Sequence, residues 1–550
     1  MRLKLILTIF ISVFFLVGVS HAATYYASPT GGGVKDGSKA APFDIASITW
    51  TSFEAGAEDH TLYLFGGTYT TQMLIRHNSE TNTLYIKPCS ASPLPSDCDS
   101  QVVFQSASGG EALGMLAFNG GSSLAKYVTI DGETTSGAGT RNIKIVPLDG
   151  RGISLPYETT HISLRYLEIT GLDDDETPKV YGNAPSSAVT GIYGLSVGSG
   201  SEVAYCYFHD NWGTHDLFWH GDKTTYGNLA IHHNTFETGT LNYVSTGGGV
   251  DIYNNIFDAS DAIYPYDILH ILATESVGHT GIQNLRIFNN FFDSEDQMNF
   301  LENATTTCCD GGPCKTEHIR IYNNVYTSTN RVNGTSRSVM IKNSSAGADV
   351  DDLIIANNTF ADVKIGILFQ GGASNATVLT GTKIVNNIFY ENSTNAYYDN
   401  SAAIAADNLV SWVVDADCLL SHNLLYDNDV IIIEWPDSAG GTWTFYTTIV
   451  GINAVSAGTN LEGDPLFAES INWTLGALST SAINAGLDVG AYTNMDSLWP
   501  KDKAGTSRPQ GAAWDMGAYE YRTVPNISNL GTGAITITPN NAGAITITPY

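Results

Sequence analysis

The sequence predicts an all-β solenoid, a parallel β-helix in which short strands coil about one axis. Two observations carry this expectation. A six-residue pattern, Ile-x-x-Asn-x-Phe, recurs without gaps along the chain, and the spacing between its copies varies while the pattern does not. The composition agrees: the 550 residues hold 55 Gly and 28 Tyr but only 25 Lys plus Arg. A chain of this length exceeds the usual single domain, but repeat folds grow in one dimension because each unit touches only its neighbours.

Seven copies align directly: Ile231-His-His-Asn234-Thr-Phe236, Ile252-Tyr-Asn-Asn255-Ile-Phe257, Ile287-Phe-Asn-Asn290-Phe-Phe292, Ile321-Tyr-Asn-Asn324-Val-Tyr326, Ile355-Ala-Asn-Asn358-Thr-Phe360, Ile384-Val-Asn-Asn387-Ile-Phe389 and Leu420-Ser-His-Asn423-Leu-Leu425. Val203-Ala-Tyr-Cys206-Tyr-Phe208 is an eighth, with Cys at the Asn position, and Ile162-Ser-Leu-Arg165-Tyr-Leu167 reads as a degraded ninth. Loops of different length must therefore join copies of one invariant element. Helical repeats keep a near-constant period, whereas β-branched and aromatic residues suit a pleated, half-buried strand. The Ile and Phe columns are expected to stack inside the coil at about 4.8 Å per rung. The Asn column sits where the chain turns, so each amide can bond to the Asn above and below in a ladder. A buried amide without such partners would cost about 1–3 kcal/mol.

These rungs resemble the right-handed parallel β-helix of the pectate lyase superfamily over roughly Tyr25 to Tyr521. The opening Tyr25-Tyr-Ala-Ser-Pro29, with Asp36-Gly37 and Pro42-Phe43, is similar to the start of many such proteins. So is Leu62-Tyr-Leu-Phe-Gly66-Gly67-Thr68-Tyr69. Asp464-Pro465-Leu466-Phe467, Arg508-Pro509 and Asp515-Met-Gly517-Ala-Tyr519-Glu520-Tyr521 resemble the segment that closes these solenoids. The resemblance is specific for fold, since the same coil serves lyases, hydrolases, epimerases, adhesins and tail spikes.

Residues 1–22 read as a signal peptide: Arg2 and Lys4, an apolar run from Leu5 to Val19, then Ser20-His21-Ala22. The run is too short for a comfortable span, and no later segment approaches about 18 apolar residues. The expected protein is secreted or at the cell surface, without a membrane span, and monomeric, with residues 23–521 as the β-helix. Residues 522–550 read as a linker or the start of an appended module, because Gly533-Ala-Ile-Thr-Ile-Thr-Pro539 recurs as Gly543-Ala-Ile-Thr-Ile-Thr-Pro549. Cys89 and Cys98 flank a Pro-rich loop and are expected to pair in an oxidising compartment. Cys308, Cys309 and Cys314 share one loop with room for one pair, while Cys206 and Cys418 read as buried small hydrophobes.

The net charge of −30 argues against nucleic acid, which is gripped by clustered Lys and Arg. The richest chemistry lies between His209 and Lys223. If its strand alternates, Leu217 and Trp219 fill the core while Asp216, Phe218 and His220 point out. Stacking the next coils brings His220, His270, Glu302 and Lys342 towards one face. The candidate catalytic residues are Asp216, His220, His270 and Lys342, because imidazole and carboxylate exchange protons near neutral pH. Trp212, His215, Asp222, Glu302 and Arg337 are the candidate substrate-binding residues around a glycan groove. The resemblance implies a polysaccharide lyase chemistry, in which an Arg or Lys removes a proton beside a uronate carboxylate and Ca²⁺ neutralises that carboxylate. No stretch matches a lyase motif closely enough to carry residues over.

Two columns bear charge. Glu237, Asp258 and Asp293 follow the Phe position on three consecutive rungs and suggest a calcium site. Asp173-Asp174-Asp175-Glu176 is a second candidate. Arg286 and Arg320 share a column one place before Ile287 and Ile321, so they must splay apart or hold an anion. The expected function is an extracellular polysaccharide-active protein, a lyase-type enzyme on an acidic glycan. The alternative is a non-enzymatic surface or matrix protein that binds glycan.

Overall fold

The computed structural model describes residues 22–522 with gaps, the principal ones at 90–97, 106–113, 171–189, 211–214, 222–228, 261–266, 274–280, 304–314, 329–335, 344–349, 393–401, 412–417, 435–443, 454–458 and 492–499, together with 535–539 and 545–549. The apolar run from Leu5 to Val19, the Cys308–Cys314 loop and Asp173–Glu176 lie outside the described residues.

The strands form three long sheets of 16, 13 and 13 members. Each rung gives one strand to the first sheet, one to the second and one to the third before the chain returns to the first. All pairing between rungs is parallel until Ile432–Glu434 meets Thr444–Tyr446 in antiparallel fashion. The chain is a right-handed parallel β-helix.

Alternation along each strand fixes the interior. Ile231, Ile252, Ile287, Ile321, Ile355 and Ile384 are register partners in the first sheet, and all are buried. In the second sheet Phe208, Phe236, Phe257, Phe292, Tyr326, Phe360 and Phe389 stack with ring centroids 4.6–5.0 Å apart. Each such side chain gains about 1.5–3 kcal/mol by leaving water.

The Asn column is a continuous chain of hydrogen bonds. Each Oδ1 from Asn255 to Asn423 accepts from the backbone N–H and the side-chain amide of the preceding Asn, at 2.9–3.1 Å. Each amide also donates to the carbonyl at the Ile position one rung back, as Asn290 does to Ile252. Asn460 adds a further step beyond Asn423, and Asn453 accepts from Asn460. The residue before each of these asparagines has its own task. His233, Asn254, Asn289, Asn323, Asn357, Asn386 and His422 all take φ of 53 to 57°, the left-handed conformation that turns the chain from the first sheet into the second. Asn tolerates that region better than most side chains, which explains the Asn-Asn pairs.

Three expectations need correction. The degraded ninth copy is Leu164-Arg-Tyr-Leu167-Glu-Ile169, because Leu164 pairs with Val203 and Ile169 with Phe208. Reading it from Ile162 is two residues early, since both Ile162 and Leu164 point inward. Arg286 and Arg320 do not leave an anion site between them. Arg286 forks onto Asp251 of the preceding rung, and Arg320 turns to Asp352 of the following rung at 2.6 Å. Cys418 is half-buried rather than buried. Cys89 and Cys98 form the expected disulfide.

The closing segment runs back along the flank of the coil. Asn357 donates to Asp515 O, Asn323 to Lys501 O, and Asn386 exchanges two bonds with the Leu487 backbone. Val489 and Trp514 cover the apolar outer face of the first sheet around Phe288 and Tyr322. Trp473 and Ala518 cover the second sheet around Val325 and Ala361. The fully buried Arg508–Glu520 pair, 2.8 Å apart, pins the segment, with Arg508 also donating to Asp515 O, Gly517 O and Asn323 Oδ1. Beyond it, the two Ile-Thr-Ile-Thr-Pro copies pair as an antiparallel hairpin.

Candidate functional site on the outer face of the third sheet

Strand register builds this face. His270 pairs with Phe300 and Phe300 with Met340, while Leu272 pairs with Glu302 and Glu302 with Lys342. The inward residues between them, Ile271, Leu301 and Ile341, are buried. The outward residues form a row of charges. Asp267 Oδ2 lies 3.5 Å from His270 Nδ1, His270 Nε2 lies 3.3 Å from Glu302 Oε2, and Lys342 Nζ lies 2.7 Å from Glu302 Oε1. Burial pushes the Glu302 carboxyl up, but hydrogen bonds from His270 and Lys342 outweigh it and hold the group below its ordinary value. The Phe300 ring organises the row, stacking on His270 at 4.4 Å with Lys342 Nζ 5.8 Å from its centroid. That contact gives the ammonium a second favourable partner.

The structure thus brings His270, Glu302 and Lys342 together. The backbone of His220 lies in the Glu302–Lys342 column, two rungs before Leu272, through its pairing with Ser245; His215 opens the same strand opposite Thr190. Asp216 is corrected: it is buried at 1 % exposure, beside the equally buried Leu217. The register between this strand and the next shifts between His215 and Phe218. Trp212 and Asp222 lie outside the described residues. Arg337 begins the strand that carries Lys342, five residues and roughly 16 Å away at strand rise, so it stands apart from the charged row. Asp267 and Phe300 were not singled out from sequence as site residues. Phe300 was findable, because it precedes Glu302 by the same two residues that separate Phe218 from His220.

Glu237, Asp258 and Asp293 are direct register partners on the outer side of the second sheet. Glu237 Oε2 accepts from the Tyr207 hydroxyl at 2.5 Å, and Asp293 is buried. Among the described residues no three His, Cys, Asp or Glu side chains are grouped to hold a metal ion. Earlier on the same sheet Glu168 gathers Lys144 at 3.0 Å, His209 at 3.3 Å and Gln101 at 3.2 Å. The bond from His209 outweighs burial there, and with Lys144 it holds the Glu168 carboxyl down to about 2.

No protein-family model and no curated protein matches the chain. Similar solved structures include pectate lyase Pel9A, 13% identical, with 92% of this chain and 98% of that one covered and a TM-score of 0.34. PfbA, a surface adhesin of Streptococcus pneumoniae, is 12% identical over 77% of this chain and 100% of that one, with a TM-score of 0.38. The PL6 family alginate lyase AlyGC is 13% identical over 88% of this chain and 59% of that one, with a TM-score of 0.37. The likeness is one of fold alone. Among the described residues no helix is long and apolar enough to cross a membrane.

Proposed function

We propose that this protein is an extracellular polysaccharide-active β-helix that takes an acidic glycan on the outer face of its third sheet and cleaves it by elimination. The observation that supports this reading is the row Asp267–His270–Glu302–Lys342. A uronate carboxylate entering the row would replace Glu302 as the partner of Lys342, placing the sugar beside His270. His270, oriented by Asp267, then takes the proton from the carbon that bears the carboxylate. The electron pair forms the ring double bond, the neighbouring glycosidic C–O bond breaks, and the departing oxygen takes a proton from water.

A second reading has its own support. Both ring nitrogens of His270 lie against carboxylates, an arrangement that also suits a surface protein binding glycan without turnover. Incubation with a panel of uronate glycans, followed by absorbance of unsaturated ends, tests the first reading. Turnover lost in His270→Ala with binding retained supports it. Tight binding with no unsaturated ends and no new reducing ends, with or without calcium, leaves only the binder.

A further inference from the structure

Consecutive side chains on a strand point to opposite faces, so adjacent histidines normally cannot share a ligand. His232 and His233 are an exception made by the corner. His233 takes the left-handed conformation, φ 55°, and the turn swings its ring back towards His232. The two Nδ1 atoms lie 2.8 Å apart, with the rings nearly perpendicular at 84°.

The far nitrogens are already engaged. His232 Nε2 lies 2.9 Å from Glu202 Oε1, and the other Glu202 oxygen takes Arg165 at 2.6 Å and Ser163 Oγ at 3.2 Å. The Arg165 guanidinium forks onto that carboxylate through Nε and Nη2, so Glu202 accepts from His232. The His232 proton is therefore on Nε2, and its Nδ1 carries a lone pair. His233 Nε2 lies 3.1 Å from the Asn254 amide nitrogen, which donates to it. His233 therefore holds its proton on Nδ1 and shares it with the Nδ1 lone pair of His232. An ion held by both Nδ1 atoms takes the place of that shared proton, which leaves to water. Tyr253 stacks on His232 at 4.7 Å and Tyr205 on His233 at 4.8 Å, fixing both rings. His233 itself is exposed, so an ion can enter.

We propose that His232 and His233 bind a divalent transition ion through their two Nδ1 atoms, with water completing the shell and Glu202 orienting His232. The geometry selects among metals. With metal–nitrogen bonds of about 2.0–2.1 Å, nitrogens 2.8 Å apart subtend roughly 86° at the ion. That is the angle of neighbouring positions in a tetragonal site, which copper(II) and nickel(II) prefer, and it is far from the tetrahedral angle that suits zinc.

The test is titration of the full chain with copper(II), nickel(II) and zinc(II) by calorimetry, with electron paramagnetic resonance of the copper form. His233→Asn is the informative variant, because Asn occupies the same left-handed position at Asn254, Asn289, Asn323, Asn357 and Asn386 and should leave the melting temperature unchanged. The expected result is a two-nitrogen copper signal that His233→Asn abolishes, with affinity down at least tenfold. Glu202→Gln should weaken copper by about tenfold, as loss of an orienting carboxylate does. Nickel should bind more tightly than zinc. The same copper affinity and signal in wild type and His233→Asn, or zinc binding more tightly than nickel, would overturn the proposal.

Discussion

Asn324 Oδ1 accepts two hydrogen bonds from Asn290, one from its backbone N–H at 2.9 Å and one from its side-chain amide at 3.1 Å. Asn324 in turn gives the same two bonds to Asn358. Every member of the column is therefore a partner of both neighbours, and removing one strands polar atoms on each side.

Asn324→Ala should destabilise the protein by about 1–3 kcal/mol, the cost of leaving buried donors unsatisfied. The urea midpoint measures it. A midpoint equal to that of the wild type would show that the column contributes nothing.

Cys206 occupies the Asn position at the start of this column, where its N–H donates to Asn234 Oδ1 and its thiol lies 3.6 Å from Leu164 O. Cys206→Asn should lengthen the column by one rung and stabilise the fold by about 1 kcal/mol. A lower urea midpoint for this variant would mean the site is shaped for sulfur.

Arg508 and Glu520 are both fully buried in the closing segment. Arg508→Met leaves Glu520 as an unpaired buried charge and should cost about 3–5 kcal/mol in docking of the segment. Hydrogen exchange around Trp514 should rise in this variant and recover in part when Glu520→Leu is added. Unchanged protection in the single variant would contradict the pinning role.

Glu168 predicts an acid-sensitive contribution to stability. Its folded value of about 2 lies below the ordinary 4.5, so its stabilisation is complete above about pH 4.5 and is lost as pH falls towards 2. Glu168→Gln should therefore flatten the stability profile in that window. Parallel profiles for wild type and variant between pH 5 and 2 would refute the assignment.

Calcium is the proposed ligand of the Glu237–Asp258–Asp293 column, bridging carboxylates of adjacent rungs with water supplying its remaining oxygens. Millimolar calcium should raise the melting temperature more than magnesium or sodium chloride of matched ionic strength, and Asp258→Asn should remove the excess. Identical shifts in all three salts would mean the column is solvated surface.

The repeating hexads by themselves determined the parallel coil, its Ile and Phe columns and the Asn column from Asn234 to Asn423. This was possible because each rung contacts only its neighbours, so a pattern in register along the sequence is a pattern in register in space. The same logic placed His270, Glu302 and Lys342 on one face. Tertiary structure decided the rest. Leu164, not Ile162, opens the degraded copy, because strand alternation repeats every two residues and cannot choose between them. Packing buried Asp216, which the sequence reading had left exposed. The left-handed corner made His232 and His233 converge, and the path of residues 460–521 brought Arg508 to Asn323 across 185 residues of chain. Backbone handedness and long-range docking leave no local period in the sequence, so only the folded chain discloses them.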